Sequence, residues 1–136
     1  MIYFISGHRD LSYEDFEKYY IPKIREVLEN DPRAEFVVGD CDGVDKYAMD
    51  YIYNETSNDL TIYHMFKSPR NIPKNYTIPI EFIEQWTSIV ILIGNFKSDE
   101  DRDSAMTEAS DYDIAFVKDG RWNSGTAQNI KRRHSI

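Results

Sequence analysis

Apolar residues in this chain gather into five short runs, each closed by a turn rich in Gly, Asp, Asn or Ser. Met1–Ile5 is continuous, the pattern of a strand buried on both faces, and Ala34–Val38, Leu60–Phe66, Ser88–Gly94 and Asp113–Val117 read as the second to fifth strands. Between them the spacing lengthens to that of a helix. Ser12 reads as an N-cap with Glu14 and Asp15 in the first turn, followed by Phe16, Tyr19, Tyr20, Ile24, Val27 and Leu28 at helical spacing. Pro22 predicts a kink or a restart, because it removes one helical hydrogen bond, and Asn30-Asp31-Pro32 predicts the end.

A second helix is expected to begin near Asp42 or Gly43 and to bury Val44, Ala48, Tyr51 and Ile52. Ser98 before Asp99-Glu100-Asp101 predicts a third helix running to about Ala109, and Ser124-Gly125-Thr126 opens a last one. Strands alternating with helices predict an α/β fold: a three-layer Rossmann-like sandwich around a mostly parallel five-stranded sheet. Residues 67–86, with Pro69, Pro73 and Pro79, predict a long irregular loop. No repeat or linker interrupts the chain, so its 136 residues are expected to form one domain.

Composition narrows the partners. A net charge of −8, with Lys131-Arg132-Arg133 as the one basic block, argues against duplex nucleic acid or an anionic membrane. The apolar run Ile89–Ile93 is too short to span a bilayer. The single cysteine, Cys41, excludes an internal disulfide, and His8, His64 and His134 are too scattered for a zinc-ligand spacing. With no basic-then-apolar leader at the start, the expectation is a cytoplasmic protein without a metal or other cofactor.

In a parallel sheet, ligands bind outside the carboxyl ends of the strands, and three turns there carry candidate chemistry. Ser124-Gly125-Thr126 offers a helix N-terminus with free N–H groups, suited to a phosphate, although Ser124 could equally be a plain N-cap. Gly7-His8-Arg9-Asp10 follows the first strand; Arg9 can pair with a phosphate or carboxylate, and His8 can bind a ligand's base or sugar or transfer a proton near neutral pH. Gly39-Asp40-Cys41-Asp42-Gly43-Val44-Asp45 follows the second. Its three carboxylates would repel a phosphate. They suit ribose hydroxyls, a magnesium ion or acid–base chemistry, while Asp42 as N-cap and Asp45 as first-turn charge is the plainer account. Arg102 shares a helical face with Met106 and, taken alone, reads as a solvated ion-pair partner.

The combination Gly-His-Arg-Asp, Gly-Asp-Cys-Asp-Gly-Val-Asp, Arg102-Asp103-x-x-Met-x-x-x-Ser-Asp-x-x-Ile-Ala and Ser-Gly-Thr-x-x-Asn-Ile resembles the SLOG superfamily of Rossmann-like nucleotide-binding domains. That superfamily includes the cytokinin-activating phosphoribohydrolases and the DNA-processing protein A fold. The resemblance implies that Gly7, Arg9, Gly39, Asp40, Gly43, Asp45, Arg102, Asp103, Ser124, Gly125 and Thr126 build one pocket, and it is the ground for expecting a homo-oligomer. One departure matters: Asn129 stands where the phosphoribohydrolases carry a catalytic glutamate, so carboxylate chemistry would have to come from Asp42, Asp45 or Asp103.

The expectation is therefore a protein that binds a nucleotide or nucleotide-derived small molecule, as sensor or sequestering protein. The alternatives are an N-glycosidase acting on nucleoside 5'-monophosphates through a pocket carboxylate, and a scaffold for protein interaction in which the pocket is idle.

Overall fold

The computed structural model describes residues 1–65, 67–76 and 90–134. Five strands, β1 (Ile2–Ser6), β2 (Glu35–Val38), β3 (Leu60–Met65), β4 (Val90–Phe96) and β5 (Tyr112–Ala115), form one parallel sheet in the order β4-β3-β2-β1-β5. The chain steps outward from β1 to β4, then returns to pair β5 with the free side of β1, Tyr3 opposite Tyr112 and Ser6 opposite Ala115. That reversal opens a crevice beyond the carboxyl ends of β1 and β5, the place where open α/β sheets hold ligands.

Two helical layers cover the sheet. Helices α1 (Tyr13–Tyr19), α2 (Ile21–Asn30) and α3 (Val44–Glu55) lie on one face; α4 (Asp99–Glu108) and α5 (Gly125–His134) lie on the other. The strand pleat assigns each residue to a layer. Ile5, Phe36, Val38, Leu60 and Ile62 enter the large core under α1–α3, whereas Phe4, Val37 and Tyr63 meet Met106 of α4. Ser6 has the parity of Phe4 and so faces the α4–α5 side, which matters below.

The expected elements are present with small shifts at their ends. β5 stops at Ala115, two residues short of the expected Val117, and α4 ends at Glu108 with Ala109 as its C-cap. Phe66, Ser88 and Ile89, expected at strand ends, and residues 77–86 of the expected loop lie outside the described residues. Pro22 marks a restart: α1 ends at Tyr19, and α2 begins at Ile21 with the proline in its first turn, where no N–H is needed. Tyr20, at the junction, is fully buried; its hydroxyl donates to the Ser6 carbonyl (2.8 Å) and accepts from the Phe116 N–H (3.0 Å), tying the ends of β1 and β5 together.

The start of α3 differs from the simplest expectation. Its N-cap is Gly43 rather than Asp42, at φ 74°, and no side chain caps the helix. A methyl group at Gly43 would stand 2.4 Å from the Arg9 carbonyl oxygen, so close backbone approach of the two turns demands glycine on both counts. Asp42 instead accepts from the Asn71 side chain (3.0 Å). No helix among the described residues is long and apolar enough to cross a membrane.

Candidate functional site

The crevice between β1 and β5 is a cavity of about 470 Å³, within the size range of small-molecule sites. Phe4 and Ser6 form its floor, the turn after β1 one wall, and the facing sides of α4 and α5 the other. Of the residues singled out in the sequence, Gly7, His8, Arg9, Asp45, Arg102, Asp103, Gly125 and Thr126 line it. Gly39, Asp40, Asp42, Gly43 and Ser124 do not.

Ser124 supports rather than lines. Its hydroxyl accepts from the Ala127 N–H (3.2 Å) and its carbonyl from the Gln128 N–H (3.0 Å), the work of an N-cap. Those bonds use the third and fourth amides of α5. The first two, on Gly125 and Thr126, find no acceptor among the described residues, and both residues line the cavity. A methyl group built at Gly125 meets nothing within 4 Å, so the space over this helix end is vacant. Below it the Ser6 hydroxyl, on a residue 5% exposed, has no hydrogen-bond partner either. Buried hydroxyls are rarely left so, and this one faces the cavity side of the sheet.

The Asp-rich turn after β2 is closed by arginines. Asp40, 0% exposed, accepts from the Arg70 backbone N–H (2.8 Å) and, through both oxygens, from the Arg70 guanidinium (2.9 and 3.2 Å). Arg102 Nη1 adds a bond of 2.9 Å to the same carboxylate. Burial opposes ionisation of Asp40, but Arg70 and Arg102 overcome it and hold the carboxyl below its ordinary range. Arg102 is itself 3% exposed and turns its other edge to Asp103 Oδ1 (3.0 and 3.1 Å). It is therefore a buried keystone between β2 and α4, not a solvated partner. Gly39 fits beneath this cluster: a methyl group there would stand 2.6 Å from Asp45 Oδ2 and 3.2 Å from the Arg102 guanidinium carbon.

Asp45 is the exception. It is buried, its Oδ2 accepts from the Cys41 N–H (3.1 Å), and it has no ion pair among the described residues. Burial pushes its carboxyl up to about 7 against the pull of Arg102, with Asp103 and Asp40 adding to the rise. Asp103 is also raised by burial, more modestly, because Arg102 and a hydrogen bond from Asn129 favour its charged form. Asn129 can give that bond because its Oδ1 is taken by Arg132 (2.7 Å), which leaves the amide to donate. The amide at this position favours the charged form of Asp103, which a glutamate would oppose by repulsion.

Ser6 and Arg121 also line the cavity and were not singled out in the sequence. Arg121 grips Asp10 through both oxygens (2.7 and 2.6 Å), and Arg9 pairs with Asp99 (2.9 Å), so each rim arginine already has a carboxylate partner. The bond from Arg121 holds Asp10 at about 2. Cys41 lines the wall, its thiol pushed up by burial and by Asp45, while Arg70 and Arg102 both donate to its sulfur (3.4 Å each). His8 Nε2 accepts from the Lys118 N–H (2.9 Å), which fixes the neutral tautomer with the proton on Nδ1; burial, then Arg121, lowers its affinity for a second proton. No group of three or more His, Cys, Asp or Glu side chains among the described residues is placed to hold a metal ion.

No protein-family model, no curated protein and no solved structure matches this chain.

Proposed function

We propose that the protein binds a nucleotide or nucleotide-derived small molecule in the β1–β5 crevice, with a phosphate seated on the Gly125 and Thr126 N–H groups. The observation that carries this reading is the pair of unpartnered amides at the start of a ten-residue helix, above an unpartnered buried hydroxyl, in one cavity. A helix N-terminus supplies both donors and the positive end of the peptide dipoles, the combination that favours phosphate. Arg9 and Arg121 stand at the rim on carboxylates that a phosphate would compete with. Asp40 has no place in this reading as a ribose acceptor, because both its oxygens are occupied.

A second reading, cleavage of the N-glycosidic bond of a nucleoside 5'-monophosphate, has one observation in its favour. A carboxyl that holds its proton near neutrality, Asp45, shares the cavity with a carboxylate paired to Arg102, Asp103. Such a pair can protonate a departing base and stabilise the positive charge that develops on the sugar. Water would supply the hydroxyl left on the sugar phosphate.

The test is a thermal-shift and mass-spectrometric screen against nucleotides and signalling dinucleotides, with the bound species recovered. Intact ligand identifies a binding protein; free base with sugar phosphate identifies the glycosidase. Gly125→Leu projects into the vacant space at the helix end and is expected to abolish either result. Undiminished affinity in that variant would remove the phosphate seat.

A further inference from the structure

Four of the five aspartates in and beside the cavity are paired with arginines. Asp10 pairs with Arg121, Asp99 with Arg9, Asp40 with Arg70 and Asp103 with Arg102, each within 3.0 Å. Lys118 reaches only to 3.8 Å from Asp10, at the outer rim. Asp45 is the fifth carboxylate and has no cation of its own. Arg102, the one guanidinium near it, spends its N–H groups on Asp40, Asp103 and the Cys41 sulfur. The groups facing Asp45 are Arg102 and Asp103 from α4, Asp40 and Cys41 from the end of β2, and Tyr20 from the start of α2. With its proton on, Asp45 adds no charge to the cavity wall; with its proton off, it places there a negative charge that has no ion pair of its own among the described residues.

We infer that Asp45 decides whether the cavity accepts an anion, which seats on Gly125 and Thr126 only while Asp45 carries its proton, so that anion binding draws a proton in. The inference rests on the reading of α5 as a phosphate seat. Asp45, Gly125 and Thr126 line the same cavity, and Coulomb repulsion in a partly enclosed site is stronger than in bulk water, since burial limits screening by water and salt. Protonated Asp45 keeps the Cys41 N–H as a donor to one oxygen and offers an O–H to the cavity. Occupancy therefore depends on pH near neutrality through a group that need not touch the anion.

Sulfate is the probe, because its charge does not change over the window. Its affinity is measured by calorimetry from about pH 6.5 to about pH 8.5 for the native protein, Asp45→Asn and Gly125→Leu. The native protein is expected to lose about tenfold in affinity across the window and to take up protons in buffers of different ionisation enthalpy. Asp45→Asn, an isostere of the protonated acid that can still accept from Cys41, should bind at the high pH as the native protein does at the low one. Burial lowers the affinity of His8 for a proton, which moves its titration to the acid side of the window. Parallel profiles for native protein and Asp45→Asn, with binding still lost in Gly125→Leu, would overturn this inference and leave the phosphate seat standing. Sulfate binding that ignores Gly125→Leu, or no sulfate binding at any pH, would overturn both. Should Asp45→Asn fail to fold, proton uptake by the native protein decides the matter alone.

Discussion

The turn after β2 and the turn after β5 end neighbouring parts of the same sheet edge, and both lead into helices. They have opposite fates. The first carries three aspartates and looks richer in chemistry, yet Arg70, Arg102 and Asn71 occupy most of it from outside. The second carries no charge at Ser124-Gly125-Thr126 and keeps two amides and the volume above them free. Abundance of functional groups is therefore a poor guide to a site; what counts is which of them the rest of the fold leaves without partners.

The contrast breaks hardest at Asp40. Asp40→Ala strands the buried Arg102 guanidinium and is expected to cost about 3–5 kcal/mol in denaturant unfolding. A small loss would mean that the turn after β2 is not the structural knot described above.

Asp45→Asn should do the reverse. The carboxyl rises from 3.8 to about 7 on folding, so the unfolded chain releases its proton before the folded one does. Native stability attributable to this group is full below about pH 4 and lost as pH climbs to about 7, by up to about 4 kcal/mol. The variant has no such loss, so melting curves of the two proteins should coincide most nearly in acid and separate in the variant's favour towards pH 8. Curves that separate in the other direction would place a cation beside Asp45.

Gly125→Ala sharpens the other half of the comparison. Its methyl group meets no protein atom, and alanine suits a helix better than glycine, so stability should hold or gain about 1 kcal/mol. Phosphate or sulfate affinity should fall all the same, because the ligand is what needs the room. Arg9→Ala gives the smallest effect on stability, about 1 kcal/mol or less, since both partners of its ion pair are half-exposed. Its signature is a weaker dependence of anion binding on salt, seen by titration at two ionic strengths.

The architecture was legible in the sequence wherever local rules decide it. Ser98 with its acidic first turn caps α4 as written, Pro22 restarts a helix, and the apolar runs become strands, largely buried in β1–β3, whereas β4 at the sheet edge leaves Ile91, Leu92 and Ile93 exposed. The cavity was legible in part: the Gly-His-Arg turn, Asp45, Asp103 and the start of α5 meet there. Exclusion of Asp40 was not, because its partner Arg70 lies 30 residues away in an irregular segment whose path no periodicity reveals. Arg102 carried a faint signal, four residues before the apolar Met106 and so on the buried face of α4, which local charge pairing obscured. Asn129 reads as a missing catalytic group until its two neighbours, Arg132 and Asp103, give the amide a task.

The pairing of β5 with β1 joins segments more than a hundred positions apart, Tyr3 with Tyr112, and everything that lines the cavity on the α5 side follows it in the chain. The large core under α1–α3 draws almost wholly on earlier residues and can gather first, whereas the crevice closes only when the distal strand has docked. During synthesis, a ribosome-bound chain lacking β5 and α5 would have most of its hydrophobic interior and no capacity for the anion. Ligand-dependent resistance to proteolysis should accordingly switch on late, at the nascent-chain length that frees α5 from the exit tunnel.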